Sequence, residues 1–289
     1  MRIVSLLPSA TEIVFALGLD QQLCGVTDEC DWPRAARAKR IVVRSRQPAG
    51  LAPREIDAWV RTEVPNGGLY RLDEQAIAEI GPELVLTQDL CRVCAVPTGD
   101  VDAALERVGC PSVVVTLEPN RLDEVIDSVE TVAGAAGAAA AGRRLAESLR
   151  SRLAAIERAV RGRPPVPTLV LEWLDPPFLA GHWVPDVVSA AGGLPLLGDA
   201  GGRSRSATWD EVRASRPEVV VLAPCGLLPH DAWRQVSIMP DGILSERTFA
   251  TDLARPGPRL VDAVEALAAV LHPGSGLPLR PDVLVPRPQ

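Results

Sequence analysis

Residues 121–162, RLDEVIDSVETVAGAAGAAAAGRRLAESLRSRLAAIERAVRG, form a continuous stretch that contains no proline. The stretch is rich in Ala, Leu, Glu and Arg, which are the residues that favour an α-helix most strongly. Gly134, Gly137 and Gly142 weaken its middle, because glycine loses more conformational freedom than other residues do in a helix. We therefore predict one very long helix, or two nearly collinear helices, ending at the prolines of RPPVP (163–167).

Short apolar segments alternate with helical segments on both sides of this stretch. On the amino-terminal side, RIVSLL, ELVLTQ and SVVVTL read as buried strands, and Gly18, Gly81 and Gly109 stand where helices should end. On the carboxyl-terminal side the rhythm resumes with TLVLEWL and EVVVLA, and a last helix is predicted in LVDAVEALAAVLHP. Alternation of this kind is typical of βαβ units around a parallel sheet.

The pattern predicts an α/β fold with two Rossmann-like lobes, each built on a parallel sheet, joined by a long helical spine. The predicted divisions are an N-terminal α/β lobe over residues 1–120, a linking helix over 121–162 and a C-terminal α/β lobe over 163–289. The proline-rich end, PLRPDVLVPRPQ (278–289), is expected to be a loosely attached tail.

The charge and the amino-terminal residues limit the partners and the compartment. The 289-residue chain carries a net charge of −7, which does not favour nucleic acid or an anionic membrane as its main partner. No uninterrupted run of about 18 apolar residues is present, so no membrane span is predicted. Residues 1–18 read as strand, turn and helix rather than as an export signal. We therefore expect a small-molecule ligand and a cytoplasmic location, unless the chain is a trimmed mature form.

Common motifs for nucleotide binding and hydrolysis are absent from the sequence. No G-x-G-x-x-G opens a helix after a strand, and there is no G-x-x-x-x-G-K-[ST], G-x-S-x-G or H-E-x-x-H. The sequence thus leans away from an enzyme and identifies no catalytic residue.

The segment LEWLDPPFLAGHWVPD (171–186) places aromatic and polar residues directly after a predicted strand and before a helix. In open α/β sheets this position is the ligand crevice at the carboxyl ends of the strands. The alternative is a loop that only packs on its own aromatic rings, since Trp is often simply buried. The candidate ligand-binding residues of this segment are Trp173, Asp175, Phe178, His182 and Trp183.

Four of the six cysteines follow predicted strands. Cys91 and Cys94 form a C-x-x-C pair in the first lobe, Cys30 follows another strand of that lobe, and Cys225 follows a strand of the second. Together with His182, these thiols would suit Zn²⁺ or an iron–sulfur cluster. A strong zinc signature has paired ligand doublets and this chain has one, so a redox pair and unliganded thiols stay open as alternatives.

Six segments of the chain resemble one protein family. In chain order they are RIVSLLPSATEIVFALG, VTDECDWP, LVLTQDLCRVCAV, LEWLDPPFLAGHWVPD, TWDEV and RPGPRLVD. Together they resemble the cobalamin-binding, helical-backbone branch (class III) of ABC-transporter substrate-binding proteins, in a subgroup that shows no signal sequence. The resemblance implies the periplasmic binding protein fold, with a ligand cleft between the two lobes and a corrinoid such as cobalamin as the ligand.

The resemblance also implies ligand-binding roles for particular residues. Phe178 and Trp209 match aromatic positions of the family's cleft. Gln88 and Asp89 lie where the first lobe reaches the ligand, and Arg259 matches a basic residue near it.

A third implication of the resemblance concerns a permease partner. Exported members carry one acidic residue on each lobe that docks on permease arginines. Asp210 matches this position in the second lobe, whereas Gln75 stands at the matching place in the first. A permease partner is therefore uncertain.

Two interpretations follow from the sequence. The leading one is a cytoplasmic, ABC transporter-like binding protein for a cobalamin-like or other bulky metal-containing ligand held between two lobes. The alternative is a cytosolic metalloprotein or metalloenzyme, in which Cys30, Cys91, Cys94 and Cys225 with His182 hold Zn or an Fe–S cluster.

Overall fold

The protein is described here from a computed structural model, which places residues 1–66, 68–90 and 95–288. The chain forms two compact units, and each unit contains its own sheet. Unit 1 comprises Met1–Pro119 and Ile126–Glu147, and unit 2 comprises Asn120–Val125 and Ser148–Gln289. The predicted α/β fold is confirmed, while the three domain boundaries drawn from the sequence stay a prediction.

The sheet of unit 1 has six strands in the order β4-β3-β2-β1-β5-β6. The strands are β1 (Ile3–Ser5), β2 (Leu23–Thr27), β3 (Arg40–Ser45), β4 (Tyr70–Leu72), β5 (Leu84–Thr87) and β6 (Val113–Thr116). All neighbouring pairs are parallel except β3 and β4, which are antiparallel. The carboxyl ends of β1, β2 and β5 therefore lie at one edge of this sheet.

Helices cover the sheet of unit 1 and bury its apolar side chains. They are α1 (Pro8–Ala16), α2 (Pro53–Glu63), α3 (Glu74–Ile80) and α4 (Thr98–Val108). Gly81 and Gly109 end α3 and α4 in the left-handed conformation, with φ of 55° and 65°, as their positions in the sequence predicted. Val4 and Val85 of the central strands pack with Leu105 of α4 in one buried cluster.

The helical stretch after unit 1's sheet consists of two helices, α5 (Leu122–Ala135) and α6 (Ala139–Val160). Gly137 lies between them with φ of 71°. A Cβ placed on Gly142 would overlap the Cβ of Ala133 and lie 3.5 Å from the Glu130 backbone. Residues 12 positions apart would be about 18 Å apart along a straight helix. The chain therefore reverses direction at Gly137, and the predicted collinear arrangement does not form.

The sheet of unit 2 is mixed rather than parallel. Its order is β10-β8-β7-β11-β12-β13, with β9 also paired to β7. The strands are β7 (Val166–Leu174), β8 (Pro177–Leu179), β9 (Gly193–Leu196), β10 (Arg205–Ser206), β11 (Val219–Leu222), β12 (Thr248–Ala250) and β13 (Val285–Pro286). β7, β9, β11 and β12 are parallel, whereas β8, β10 and β13 run antiparallel to their neighbours. The predicted parallel strands form the centre of this sheet. The sequence analysis did not include the two-residue turn at Asp175 and Pro176, after which the chain returns as the antiparallel strand β8.

The helices of unit 2 are α7 (Val184–Ala190), α8 (Trp209–Ala214), α9 (Pro229–Arg234) and α10 (Leu260–Leu271). Among the described residues, none of the helices combines the length and the hydropathy needed to cross a membrane. The carboxyl-terminal segment is not a loose tail, because β13 pairs with β12 and Leu284 is only 4% exposed. The prolines in this segment make a strand difficult to predict from the sequence.

Candidate ligand-binding site

Three loops meet at the carboxyl ends of the parallel strands of unit 2. The backbone N–H of Cys225, after β11, donates to the carbonyl of Glu172 in β7 at 3.2 Å. The indole N–H of Trp183 donates to the carbonyl of Leu253, after β12, at 2.8 Å. The first bond joins the loop after β11 to the end of β7, and the second joins the loop after β8 to the loop after β12. Open α/β sheets bind ligands at the edge where their parallel strands end.

His182 has an unusual backbone conformation at this edge. Its φ is 51°, in the left-handed region that non-glycine residues rarely adopt. Two backbone hydrogen bonds hold it there: its N–H donates to the Gly202 carbonyl at 2.6 Å, and its carbonyl accepts from Gly201 N–H at 2.9 Å. At the preceding position, a Cβ on Gly181 would lie 2.5 Å from the Gly202 carbonyl oxygen, so only glycine allows the two segments to approach this closely.

The imidazole of His182 is half-buried and oriented by its neighbours. Nδ1 lies 3.4 Å from Asn120 Oδ1, and the ring stacks on Trp183 with centroids 5.7 Å apart. Burial, and to a lesser degree the charge of Arg203, hold the pKa of His182 below its ordinary value. The side chain is therefore a neutral imidazole at pH 7, which is the form that binds metals.

Trp183 has a different place from the one expected of a ligand-contacting residue. It is only 6% exposed and precedes α7, whose first turn contains Pro185. Its buried ring stacks on the imidazole of His182, and its N–H is bonded to the Leu253 carbonyl, so Trp183 holds His182 in place. Its predicted direct contact with a ligand stays a prediction.

Trp173 and Phe178 form a cross-strand aromatic pair in the β7–β8 hairpin. They lie directly opposite each other in the antiparallel register, so their side chains share a face. Both are half-buried, and the indole N–H of Trp173 donates to the Asp175 carbonyl at 3.1 Å. Asp175 thus shapes the turn through its backbone. The structure brings these three predicted residues together in one short hairpin.

Trp209 is the first residue of α8 and is half-buried against the core of unit 2. Thr208 caps this helix, because its hydroxyl accepts from the Glu211 N–H at 3.2 Å. The neighbouring Asp210 side chain is 93% exposed and pairs with Arg213 at 2.7 Å. Exposed pairs of this kind contribute little to stability, so Asp210 remains accessible to a partner.

Arg259 lies directly before α10 and belongs to a charged cluster after β12. Its Nη2 is 3.5 Å from Asp252 Oδ2, and Arg255 Nε is 3.4 Å from the same oxygen. Arg255 and Asp252 are largely buried, and sequence reasoning missed both. A signal was present for Arg255, since RPGPR (255–259) places two arginines and two prolines in the loop between β12 and α10.

In unit 1, Gln88 and Asp89 follow β5 at the carboxyl edge of the sheet. Gln88 is 5% exposed, which leaves little of its side chain for contact with a ligand. Asp89 Oδ1 accepts from the Thr98 N–H at 2.7 Å and so fixes the start of α4. The predicted Cys91 and Cys94 lie outside the residues that the structure describes.

Cys30 is buried in a chain of hydroxyl groups at the same edge. Ser5 donates to the Leu7 carbonyl at 2.9 Å, and Thr11 donates to Ser5 at 2.9 Å. Since the Thr11 proton is used there, its 3.1 Å contact with the Cys30 sulfur requires the thiol to donate. Thr27 then donates to the sulfur at 3.3 Å. This order of donors and acceptors suits a protonated thiol at Cys30, whereas a metal ligand would be a thiolate.

The described ranges contain no group of three or more His, Cys, Asp and Glu side chains placed to hold a metal ion. Cys225 is half-buried near β7, and its bond to Glu172 is through the backbone. The Zn or Fe–S alternative depends on Cys91 and Cys94, outside these ranges, and has no support from the residues inside them.

Sequence reasoning also missed Trp32, which follows β2 two residues after Cys30. The side chain is 50% exposed at the edge where the parallel strands of unit 1 end. A half-exposed indole there has a large apolar area available to a ligand or a partner. The signal was an aromatic residue in a loop after a strand, in a chain with only 3% aromatic residues.

Two sheets with parallel central strands, separated in the sequence by the helices α5 and α6, are the architecture of a helical-backbone substrate-binding protein. The chain belongs to the periplasmic binding protein family, whose family model matches residues 3–251.

Particular relatives are similar along most of the chain. A vitamin B12-binding protein of Vibrio cholerae is 24% identical over 279 residues, which cover 93% of this chain and 88% of the relative. An uncharacterised ABC-transporter substrate-binding lipoprotein of Bacillus subtilis is 22% identical and covers 94% of this chain and 80% of its own length. The crystal structure of a periplasmic haem-binding protein from Pseudomonas aeruginosa superposes with a TM-score of 0.75 at 19% identity, covering 100% of this chain and 98% of the other. The last similarity concerns the fold alone.

Proposed function

We propose that this chain is a substrate-binding protein for a bulky metal-containing macrocycle, either a corrinoid or a haem, and that loops at the carboxyl edge of unit 2 form part of its site. The observation that carries the proposal is the meeting of aromatic, imidazole and guanidinium groups at this edge. Family membership and the similarity to a vitamin B12-binding protein support it.

The side chains at the edge suit such a ligand chemically. Trp173 and Phe178 offer a half-buried aromatic face, which packs well against the flat surface of a macrocycle. Arg255 and Arg259 both lie within ion-pair distance of the Asp252 carboxylate, so two guanidinium groups stand at this edge. Guanidinium groups bind the carboxylates or phosphate that decorate these macrocycles. A small sugar or amino acid would leave the aromatic face unused.

Ligand titration tests this function directly. Purified protein is titrated with aquocobalamin, with haemin and, for comparison, with a ferric hydroxamate siderophore, and binding is followed by calorimetry and tryptophan fluorescence. We expect saturable binding of at least one macrocycle with one ligand per chain. Absence of any heat or fluorescence change with both macrocycles at high micromolar concentration would refute the proposal.

An ABC permease is the partner that this function suggests, and Asp210 is the residue we propose for docking in unit 2. Its side chain is almost fully exposed on the first turn of α8, next to Glu211. An Asp210→Lys variant should keep its ligand affinity and lose binding to the permease in nanodiscs.

The cytoplasmic location expected from the sequence remains a proposal, which cell fractionation of the native gene product would test.

A further inference from the structure

The connection between β3 and β4 is much longer than the fold requires. The two strands are antiparallel, and Ser45 at the end of β3 lies opposite Tyr70 at the start of β4. One residue further out, the Arg46 N–H donates to the Leu69 carbonyl at 2.8 Å, so the pairing continues to that position. A two-residue turn is enough to join antiparallel strands. Residues 47–68, which contain α2, are therefore an insertion that the sheet itself does not need.

The insertion begins and ends at the carboxyl edge of the sheet of unit 1. β3 is parallel to β2, so Ser45 lies at the same edge as the ends of β1, β2 and β5. The side chain of Asp28, after β2, accepts from the Ser45 N–H at 3.2 Å and connects two of these strand ends. Open α/β sheets bind ligands at this edge, which also carries the half-exposed Trp32. Unlike the crossover helices α1 and α4, the helix α2 leaves and rejoins the sheet at that one edge.

Polar contacts hold the insertion at its base and support α2 locally. Arg46, the residue before the insertion, pairs with Glu63 at the end of α2, with Nη2 and Oε2 3.4 Å apart. Within the helix, Asp57 and Arg61 form an i,i+4 pair at 2.8 Å, which supports a helix without help from the sheet. These contacts use the charged residues of α2 and leave its apolar side chains for other contacts.

One face of α2 is apolar and only half-buried. Ile56, Trp59 and Val60 are spaced i, i+3 and i+4, which places their side chains on the same side of a helix. None of the three is part of the buried cluster that α3 and α4 form with the sheet. Their remaining exposed area is therefore available to another apolar surface. The exposed residues of the opposite face are Arg54, Glu55, Ala58, Arg61 and Thr62.

We propose that the apolar face of α2 covers the bound macrocycle at the carboxyl edge of unit 1, with Trp59 as its main contact residue. This inference rests on the proposed function and adds a contact surface to it. A macrocycle presents a flat apolar face on which an indole ring packs well. Three half-buried side chains offer far less area than the about 800 Å² that each partner buries in a stable protein complex. A small ligand therefore suits this face better than a second chain does.

Binding kinetics of matched α2 variants test the inference. Haemin and aquocobalamin are added separately to the wild type, to Trp59→Ala and to the control Thr62→Ala, whose side chain lies on the exposed face of the same helix. Stopped-flow absorption gives the association and dissociation rates, and calorimetry gives the affinity. Trp59→Ala should bind at least one macrocycle about 10-fold more weakly, mainly through faster dissociation. Thr62→Ala should match the wild type within about 2-fold.

A shortened chain tests the role of the whole insertion. In this variant, an Asn-Gly turn replaces residues 47–68 and joins Arg46 directly to Leu69. Since the strand pairing is kept, we expect cooperative urea unfolding together with macrocycle dissociation that is about 10-fold faster or more. If the shortened chain does not fold, the point variants and the cleavage experiment below still decide.

Protease protection reports on α2 in the unaltered protein. Trypsin cleavage after Arg54 and Arg61 should slow when a macrocycle is bound, because cleavage requires local unfolding of α2. Wild-type dissociation rates in Trp59→Ala, together with unchanged cleavage, would overturn the inference and leave the proposed function standing. If neither macrocycle binds to the wild type, the proposed function fails and this inference fails with it.

Discussion

The indole N–H of Trp183 donates to the carbonyl of Leu253 at 2.8 Å, across 70 positions of sequence, and joins the loop before α7 to the loop after β12. Trp183→Phe keeps a ring and removes the donor, so the buried carbonyl loses its partner. We expect a loss of about 1 to 3 kcal/mol in the free energy of unfolding, measured with urea. Trp59→Phe, at a half-buried position in α2, should change it by less than about 0.5 kcal/mol. Equal losses in both variants would contradict this role.

The aromatic hairpin yields a prediction about ligand affinity. Phe178→Ala should weaken macrocycle binding by about 1 to 3 kcal/mol, because it removes half of the cross-strand aromatic pair. Phe15→Ala is a matched control, since Phe15 is also half-buried but lies in the last turn of α1, next to Lys39. Calorimetric titration of both variants measures the difference. The same loss of affinity in both would remove the hairpin from the site.

The proton count around Cys30 predicts an order among its variants. Cys30→Ser keeps a donor for Thr11 and an acceptor for Thr27, whereas Cys30→Val keeps the volume and removes one hydrogen-bond contact from each of the two hydroxyls. We expect Val to be more destabilising than Ser, by about 1 to 2 kcal/mol in urea unfolding. Alkylation followed by peptide mapping should label Cys30 more slowly than the less buried Cys24. The reverse order of stability would show that Cys30 is held by apolar packing.

The lowered pKa of His182 predicts how stability depends on pH. In the unfolded chain this imidazole has its ordinary pKa of 6.5, so the unfolded state binds more protons than the folded one just below that value. The contribution of His182 to unfolding free energy is therefore constant above pH 6.5 and becomes less favourable as pH falls through the folded-state pKa. Urea unfolding of the wild type and His182→Gln between pH 7.5 and 5 measures the contribution of His182 to this pH dependence. If the free energy of unfolding changes with pH equally in both proteins, His182 makes no such contribution.

Two helical glycines predict opposite effects of the same substitution. Gly134→Ala in α5 has open space around its Cβ and should stabilise the protein by about 0.5 to 1 kcal/mol through helix propensity. Gly142→Ala in α6 should destabilise it despite the same propensity gain, because the new methyl group would overlap the Ala133 side chain. Thermal unfolding of both variants compares them. Stabilisation by both would mean that α6 does not fold back on α5.

The parts of the fold that the sequence predicted depend on local patterns. Short apolar runs such as VVVL at Val219–Leu222 predict a buried strand. Gly81 and Gly109 mark helix ends because few other residues adopt their positive φ. The reversal at Gly137 was missed because it depends on close packing of Gly142 on Ala133. Similarly, the pairing of β13 with β12 is invisible in a proline-rich segment.

Local sequence patterns also predicted part of the candidate site. Loops after strands could be placed at one edge of a sheet, which made Phe178 and His182 candidates, and the family resemblance added Arg259. What the side chains do there depends on distant partners, such as Asn120 for His182. No local pattern shows that Trp183 faces inward or that Asp89 fixes the start of α4.

The residues of unit 2 are not contiguous in the chain, and this matters for biosynthesis and for dissection of the gene. Asn120–Val125 belongs to unit 2 although the next 22 residues belong to unit 1. Arg121 in this short segment forms a two-pronged ion pair with Asp186, and the Leu122 N–H donates to the same carboxylate. As the ribosome synthesises the chain, this segment emerges long before its partner and must wait for α7 to be translated. A fragment that begins at Ser148 would lack this segment and with it the hydrogen bonds that Arg121 and Leu122 make to Asp186.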